Sequence, residues 1–366
     1  MDAIDRALLN AVQTGFPVEP QPYQSLGDLV GITEQGALER LQALSQEGII
    51  RRLGGVFDSH RLGYYSTLCS AKVPQAKIPL ITEILAGVPG VTHNYLRKHA
   101  YNMWFTLIAP SKEKVEEILE DLRQKSGVAE VYSLPALRLF KIKVDFDLTQ
   151  VKGAEEISLV VAKDGEAEVV EVVEVVEVVE EVEEANGFKV LNQAGAQAGY
   201  WSAETSSSYP LSPEEIKLIR ILQGSLANSI TPFADLAEEL GWTEKAVLTS
   251  ICHFIEVGVI RRFGAVLRHQ KAGFVANAMG VWQVAPELAE AIGRKMALYR
   301  EVSHCYQRPT LPDWPYNLFT MIHGRSVEDC QNVMNRIALE TGVKDHDMLF
   351  STKELKKISM QYFPEE

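Results

Sequence analysis

A histidine, a tyrosine and an arginine recur at two-residue spacing in two places. His93, Tyr95 and Arg97 lie within VTHNYLR, and His304, Tyr306 and Arg308 lie within VSHCYQR. Side chains along a strand alternate between faces, so each triplet occupies one face. The opposite faces differ: Asn94 and Leu96 stand where the second stretch has Cys305 and Gln307. After each triplet comes a Tyr-Asn pair, Tyr101-Asn102 and Tyr316-Asn317, opening an aromatic strand with Trp104 in one stretch and Phe319 in the other. A single strand histidine is ordinarily a hydrogen-bonded structural residue, and a duplicated ancestor can leave such pairs behind for packing alone. Two matching faces point further, to a flat ligand with anionic substituents. Aromatic rings would stack on it, guanidiniums would take its carboxylates, and imidazole would move a proton or meet a metal.

The elements that must position these residues are also duplicated. Apolar spacing at Ile4, Leu8, Leu9 and Val12 predicts a helix over 2–13. Ser25 to Asp58 then reads as a helix, a turn at Gly31, a second helix from Thr33 and a strand after Gly48, a helix-turn-helix with a wing. The pattern returns from Ser212, where Ser-Pro-Glu-Glu supplies an N-cap, a proline at the first helical position and a capping-box glutamate. Ile50-Arg51-Arg52-Leu53-Gly54 matches Ile260-Arg261-Arg262-Phe263-Gly264. Beyond each wing the order strand, helix, two strands, helix, strand predicts a ferredoxin-like βαββαβ unit, closing at Val131–Leu134 and at His346–Phe350. Helices on one face of such a sheet leave the other free for a partner or ligand. The expected fold class is α+β: two tandem copies of a winged helix-turn-helix (1–60 and 211–270), each followed by a ferredoxin-like domain (61–150 and 271–366). The βαββαβ units are expected to pair face to face within the chain.

Between the copies, residues 151–210 form an acidic, low-complexity linker around EVVEVVEVVEVVEEVEE. Its three-residue repeat fits neither the helix nor the strand period, which predicts a mobile tether. The chain has 366 residues and a formal net charge of -13, but most of the acidity sits in this linker. The flanking domains are near neutral, so net charge excludes no class of partner. Cys69, Cys252, Cys305 and Cys330 form no zinc or CxxC pattern, and no window has the ~20 apolar residues of a membrane helix. These features predict a cytoplasmic protein that does not engage a membrane.

A winged helix followed by βαββαβ resembles the leucine-responsive regulator (Lrp/AsnC) family, which implies a transcription factor. The helices that would read DNA are poorly charged for it. TEQGALERLQALSQEG offers Arg40 against Glu34, Glu39 and Glu47, and TEKAVLTSICHFIEVG offers only Lys245 and His253. DNA is therefore not expected as a partner, and the module is expected to serve as packing and as a pocket wall. A second resemblance is closer. THNYLR with YNMWFTLIAP in the first copy resembles the alpha type of siroheme decarboxylase subunit. RRFGAVLRHQKAGF, NAMGVW, SHCYQR, DWPYNLFTMIHG and FSTKELKKISMQYF in the second resemble the beta type. The likeness covers nearly all of both copies and omits the linker. It implies a carboxy-lyase that converts siroheme to 12,18-didecarboxysiroheme with loss of two carbon dioxides, in alternative heme or heme d1 biosynthesis, with no cofactor beyond the iron tetrapyrrole substrate. The alternative is an Lrp/AsnC-like regulator that senses a tetrapyrrole.

The residues suit that chemistry. Tyr95, Trp104, Tyr306 and Phe319 offer aromatic surface, and Asn102 and Asn317 accompany them. Arg52, Arg97, Arg262, Arg268 and Arg308 are candidates to clamp carboxylates, with Arg51 and Arg261, on the other face of the wing strand, as weaker ones. His93 and His304 are the candidate general acids, and either is a possible iron contact. His269, whose counterpart is His60, is a candidate propionate contact; His99 reads as peripheral, and His323 ranks below His304. A homodimer of the fused chain is a further possibility.

Overall fold

The computed structural model of the chain describes residues 1–142, 161–163, 166–168, 201–202, 207–268 and 276–365. Most of the acidic tether, and His269, lie outside the described residues. In the first copy α1 (Ala3–Thr14) starts from an Asp2–Asp5 capping box, and α2 (Pro22–Val30) and α3 (Glu34–Gln46, capped by Thr33) form the helix-turn-helix. The wing strand is β1 (Ile50–Phe57). The second copy repeats it with α6 (Pro213–Leu222), started by a Ser212–Glu215 capping box, α7 (Pro232–Leu240), α8 (Glu244–Glu256) and β10 (Ile260–Leu267). The two wings pair with each other, β1 antiparallel to β10, with Gly54 opposite Gly264. A Cβ on Gly54 would sit 2.4 Å from the Gly224 carbonyl oxygen, and one on Gly264 2.5 Å from that of Val12. Each glycine thus lets the ribbon press on the end of the other copy's first helix. Both helical units share one core, in which Phe16 meets Phe233 and Phe263.

The βαββαβ order holds in both copies. The first runs β2 (Tyr65–Ala71), α4 (Ile78–Ala86), β3 (Val91–Arg97), β4 (Met103–Ala109), α5 (Lys112–Ser126) and β5 (Val131–Pro135). After it come β6 (Arg138–Ile142), the short β7 (Val161–Lys163) and β8 (Glu166–Glu168), which pair together, and β9 (Trp201–Ser202), which pairs with β6. The second copy runs β11 (Ala276–Trp282), α9 (Ala289–Leu298), β12 (Val302–Gln307), β13 (Leu318–Gly324), α10 (Val327–Thr341) and β14 (His346–Lys357). The orders β5-β2-β4-β3 and β14-β11-β13-β12 are the same arrangement.

The closing strands run on past their expected ends. β14 leaves β11 after Phe350 and continues along β3 as far as Lys357. β6, separated from β5 only by Ala136 and Leu137, pairs with β12. Each closing strand therefore bridges the two copies, and the sheet closes into a barrel. The units meet edge to edge through these strands, while their helix-free faces enclose an interior where Trp104, Met279, Trp314, Phe319 and Leu349 meet. The helices cover the outside over two separate cores. Among the described residues no helix is long and apolar enough to cross a membrane.

Candidate functional site between the wing ribbon and the barrel

A cavity of about 580 Å³ lies between the β1–β10 ribbon and the barrel, and both His-Tyr-Arg triplets line it. Its size is that of a pocket for an organic ligand. The two faces have the same construction. The His93 and Tyr95 rings stack at 6.3 Å and 27°, and those of His304 and Tyr306 at 6.2 Å and 22°. The Arg97 guanidinium carbon lies 5.8 Å from the Tyr95 ring centroid, and that of Arg308 lies 4.6 Å from Tyr306. Both guanidiniums are nearly buried, at 5% and 9% exposure. Arg97 Nη1 donates to the Leu349 carbonyl of the second copy, and Arg308 Nη1 donates to the Leu134 carbonyl of the first at 2.6 Å. Neither has a carboxylate partner among the described residues, and each Nε is left unbonded. Burial pushes both arginines down to about 10.

The imidazoles are also held alike. His93 Nδ1 meets Thr92 Oγ1 at 3.0 Å, and His304 Nδ1 meets Ser303 Oγ at 2.9 Å. Burial, followed by the charges of Arg261, His93, Arg308 and Lys141, pushes His304 down to about 4. The ring is therefore neutral at pH 7, and His93 is near enough for its charge to bear on it.

The wing arginines tie the ribbon to the helices as well as lining the cavity. Arg52 Nη1 donates to Gly55 O at 2.8 Å and Gln223 O at 2.9 Å, at the end of α6. Arg262 Nη1 donates to Ala265 O at 2.9 Å and to Gln13 O, at the end of α1. Both reach the cavity wall, and Nη1 of each also meets a carbonyl at the C-terminus of the other copy's first helix, where a cation is favoured. Arg51 and Arg261 line the cavity too. Arg51 donates to Ser359 Oγ at 2.8 Å. Arg261, within electrostatic reach of Tyr306, binds Asp58 Oδ2 through Nε at 2.9 Å and Nη2 at 2.8 Å.

The asparagines are a correction. Asn102 Nδ2 donates to Val73 O at 2.8 Å while its Oδ1 accepts from Val73 N at 2.9 Å. Asn317 does the same to Val284, at 2.8 and 3.0 Å. Both amide ends are used as a peptide would use them, and neither side chain lines the cavity. Arg268 is exposed and off the lining, though its charge reaches Arg51. Trp104 and Phe319 form the deep wall, their rings 6.3 Å apart. Below them Trp314, from the RPTLPDWP connection, is 1% exposed and stands 5.1 Å from Trp104. His99 meets Trp314 edge-on at 5.2 Å, away from the cavity. His60 and His323 do line it; burial holds His60 down, against the pull of Asp58.

Sequence reasoning passed over Asp58 and Trp314. A signal existed for each: Asp58 follows β1 where Arg268 follows β10, and the connection holding Trp314 is longer than its counterpart.

A duplicated regulator-type ligand-binding fold, closed over paired imidazoles, phenols and unneutralised guanidiniums, defines a protein built for a planar, carboxylate-bearing small molecule. Residues 61–141 and 271–356 match the AsnC-like ligand binding domain, and residues 5–51 and 215–261 match the siroheme decarboxylase NirDL-like HTH domain. The chain is 32% identical over 360 residues to the siroheme decarboxylase of Hydrogenobacter thermophilus, covering 98% of this chain and 95% of that one. It is 53% identical over 146 residues to the siroheme decarboxylase alpha subunit of Desulfovibrio desulfuricans, and 48% over 157 residues to the beta subunit from that organism. Those matches cover 40% and 43% of this chain and 84% and 99% of the subunits. The crystal structure of the siroheme decarboxylase NirDL with an iron-uroporphyrin III analogue superposes with a TM-score of 0.66 at 29% identity, covering 98% of this chain and 94% of that one. The chain belongs to the siroheme decarboxylase family, with the alpha and beta subunit types fused in one polypeptide, and is a carboxy-lyase.

Proposed function

We propose that the chain binds siroheme in this cavity and removes carbon dioxide from two of its acetate arms, giving 12,18-didecarboxysiroheme. The supporting observation is the pair of buried guanidiniums, Arg97 and Arg308, on the wall without a carboxylate partner. An uncompensated buried charge costs several kcal/mol, and an arriving carboxylate offsets that cost. Tyr95, Tyr306, Trp104 and Phe319 supply the surface for the macrocycle. In each arm the carbon–carbon bond breaks, carbon dioxide leaves, and the electron pair stays on the methylene, shared with the ring until a proton closes the methyl. His93 and His304 are the imidazoles that handle protons or contact the iron, which belongs to the substrate.

DNA is no part of this reading: Arg40, the single arginine of α3, is paired with Asp2 and Asp5 at 2.8 and 2.7 Å. The free thiols of all four cysteines fit a cytoplasmic setting, and a homodimer of the fused chain is compatible with it. The test is anaerobic incubation of the purified chain with siroheme, followed by mass spectrometry; loss of two carbon dioxides per molecule is expected. Unchanged siroheme, together with sequence-specific and salt-dependent retention of DNA, would replace the enzyme with a tetrapyrrole-sensing regulator.

A further inference from the structure

The two stacked tyrosines differ in what holds their hydroxyls. Tyr95 is hydrogen-bonded to Glu354, its partner across the β3–β14 pair. The partner of Tyr306 across the β12–β6 pair is Leu139, which offers no such group. The Tyr306 hydroxyl bonds to no described residue. Two guanidiniums act on this phenol: Arg308 lies 4.6 Å from its ring centroid, and Arg261, anchored at 2.8 Å by Asp58, is within electrostatic reach.

We propose that Tyr306 is the catalytic residue that protonates the carbon left behind when carbon dioxide departs. The assignment rests on the proposed function and refines it. After the carbon–carbon bond breaks, the electron pair remains on the arm's methylene and is delocalised into the macrocycle. The O–H bond of Tyr306 then breaks, its proton joins that carbon to complete the methyl, and the phenolate electron pair stays on the oxygen, in the field of Arg261 and Arg308. Solvent returns the proton before the next arm reacts, so no oxidant or reductant is required. Burial keeps the phenol protonated at neutral pH, while the guanidiniums offset the charge that appears when it gives the proton up. His304, stacked on the same ring, is neutral in the open cavity and has no proton to spare. A neutral imidazole is instead suited to contact the iron. Tyr95 is less suited, because its proton is already committed to the Glu354 carboxylate.

The experiment compares Tyr306→Phe with Tyr95→Phe in the full-length chain. Siroheme binding is followed by absorbance titration, and carbon dioxide release and product mass are followed in single turnovers. Loss of general-acid catalysis predicts that Tyr306→Phe lowers kcat by about 100-fold or more while binding changes by less than about threefold. Tyr95→Phe is expected to lower kcat by less than about tenfold. Three results overturn the assignment: Tyr306→Phe within about tenfold of the wild-type kcat, equal losses in both variants, or a Tyr306→Phe defect confined to binding. A wild-type chain that releases no carbon dioxide from siroheme removes the proposed function itself, and is distinguishable from all three.

Discussion

At the first-copy end of the cavity Arg51 feels the like charge of Arg268, and Lys357 feels both, with Glu354 as the carboxylate that bears on Arg51 and Lys357. At the second-copy end the matching Arg261 is locked to Asp58. The residues responsible, Arg268 and Asp58, each directly follow a wing strand, and they have opposite charge. The His-Tyr-Arg backbone framework is thus repeated, while the charge around it is not. One end gathers cations that suit a ligand's ionised arms; the other holds its arginine on Asp58 beside an unbonded phenol. Duplication supplied two copies of one geometry, and a few loop residues divided the labour between them.

Breaking the Asp58–Arg261 pair tests this most severely. Asp58→Asn leaves a partly buried guanidinium without its anion and strips charge from an acceptor of the His60 and Arg61 amides. Removing one partner of a fully buried pair costs about 3–5 kcal/mol. The side chains here keep 19% and 27% of their exposure, so about 2–3 kcal/mol is expected, measured as ligand-free stability in urea. Arg268→Ala at the other end removes a like-charge neighbour and should leave stability unchanged or slightly raised. Equal losses in the two variants would erase the distinction between the ends.

The repeated parts were legible in the sequence because they obey local rules. The capping box at Ser212, the apolar spacing of the first helix and the shared face of His93, Tyr95 and Arg97 all follow from spacing within a dozen residues. What escaped depends on contacts between copies. Ser351 to Lys357 carries three lysines and lies beyond the expected end of the closing strand, yet it forms strand because β3 offers an unpaired edge. Arg52 and Arg51 alternate as expected, but what Arg52 bonds to is decided by where α6 ends, 170 residues away. Asn102 and Asn317 share a pattern for a reason unrelated to the ligand, namely that each pins the residue just beyond a neighbouring strand.

Those asparagines mark where the copies should behave identically. Asn102→Ala and Asn317→Ala each abandon one backbone N–H and one carbonyl that the amide satisfies, a loss of about 1–3 kcal/mol apiece. Urea unfolding of each variant is the measurement. A marked loss at one position alone would mean that the equivalence of the two clamps is geometric and not energetic.

The smallest expected effect concerns pH and His304. Its folded-state value of about 4 lies below the ordinary 6.5, so as pH falls from 6.5 towards 4 the unfolded chain takes up a proton that the folded chain refuses. The contribution is complete above about pH 6.5 and is lost across that window. The ring faces the cavity and is only partly shielded, so the loss should be on the order of 1 kcal/mol by about pH 5. His304→Gln should flatten this part of the stability profile. The same titration on His93→Gln should keep that dependence. If removing either histidine abolishes it equally, the two ends share one titrating unit, and the contrast between them lies in their arginines and tyrosines alone.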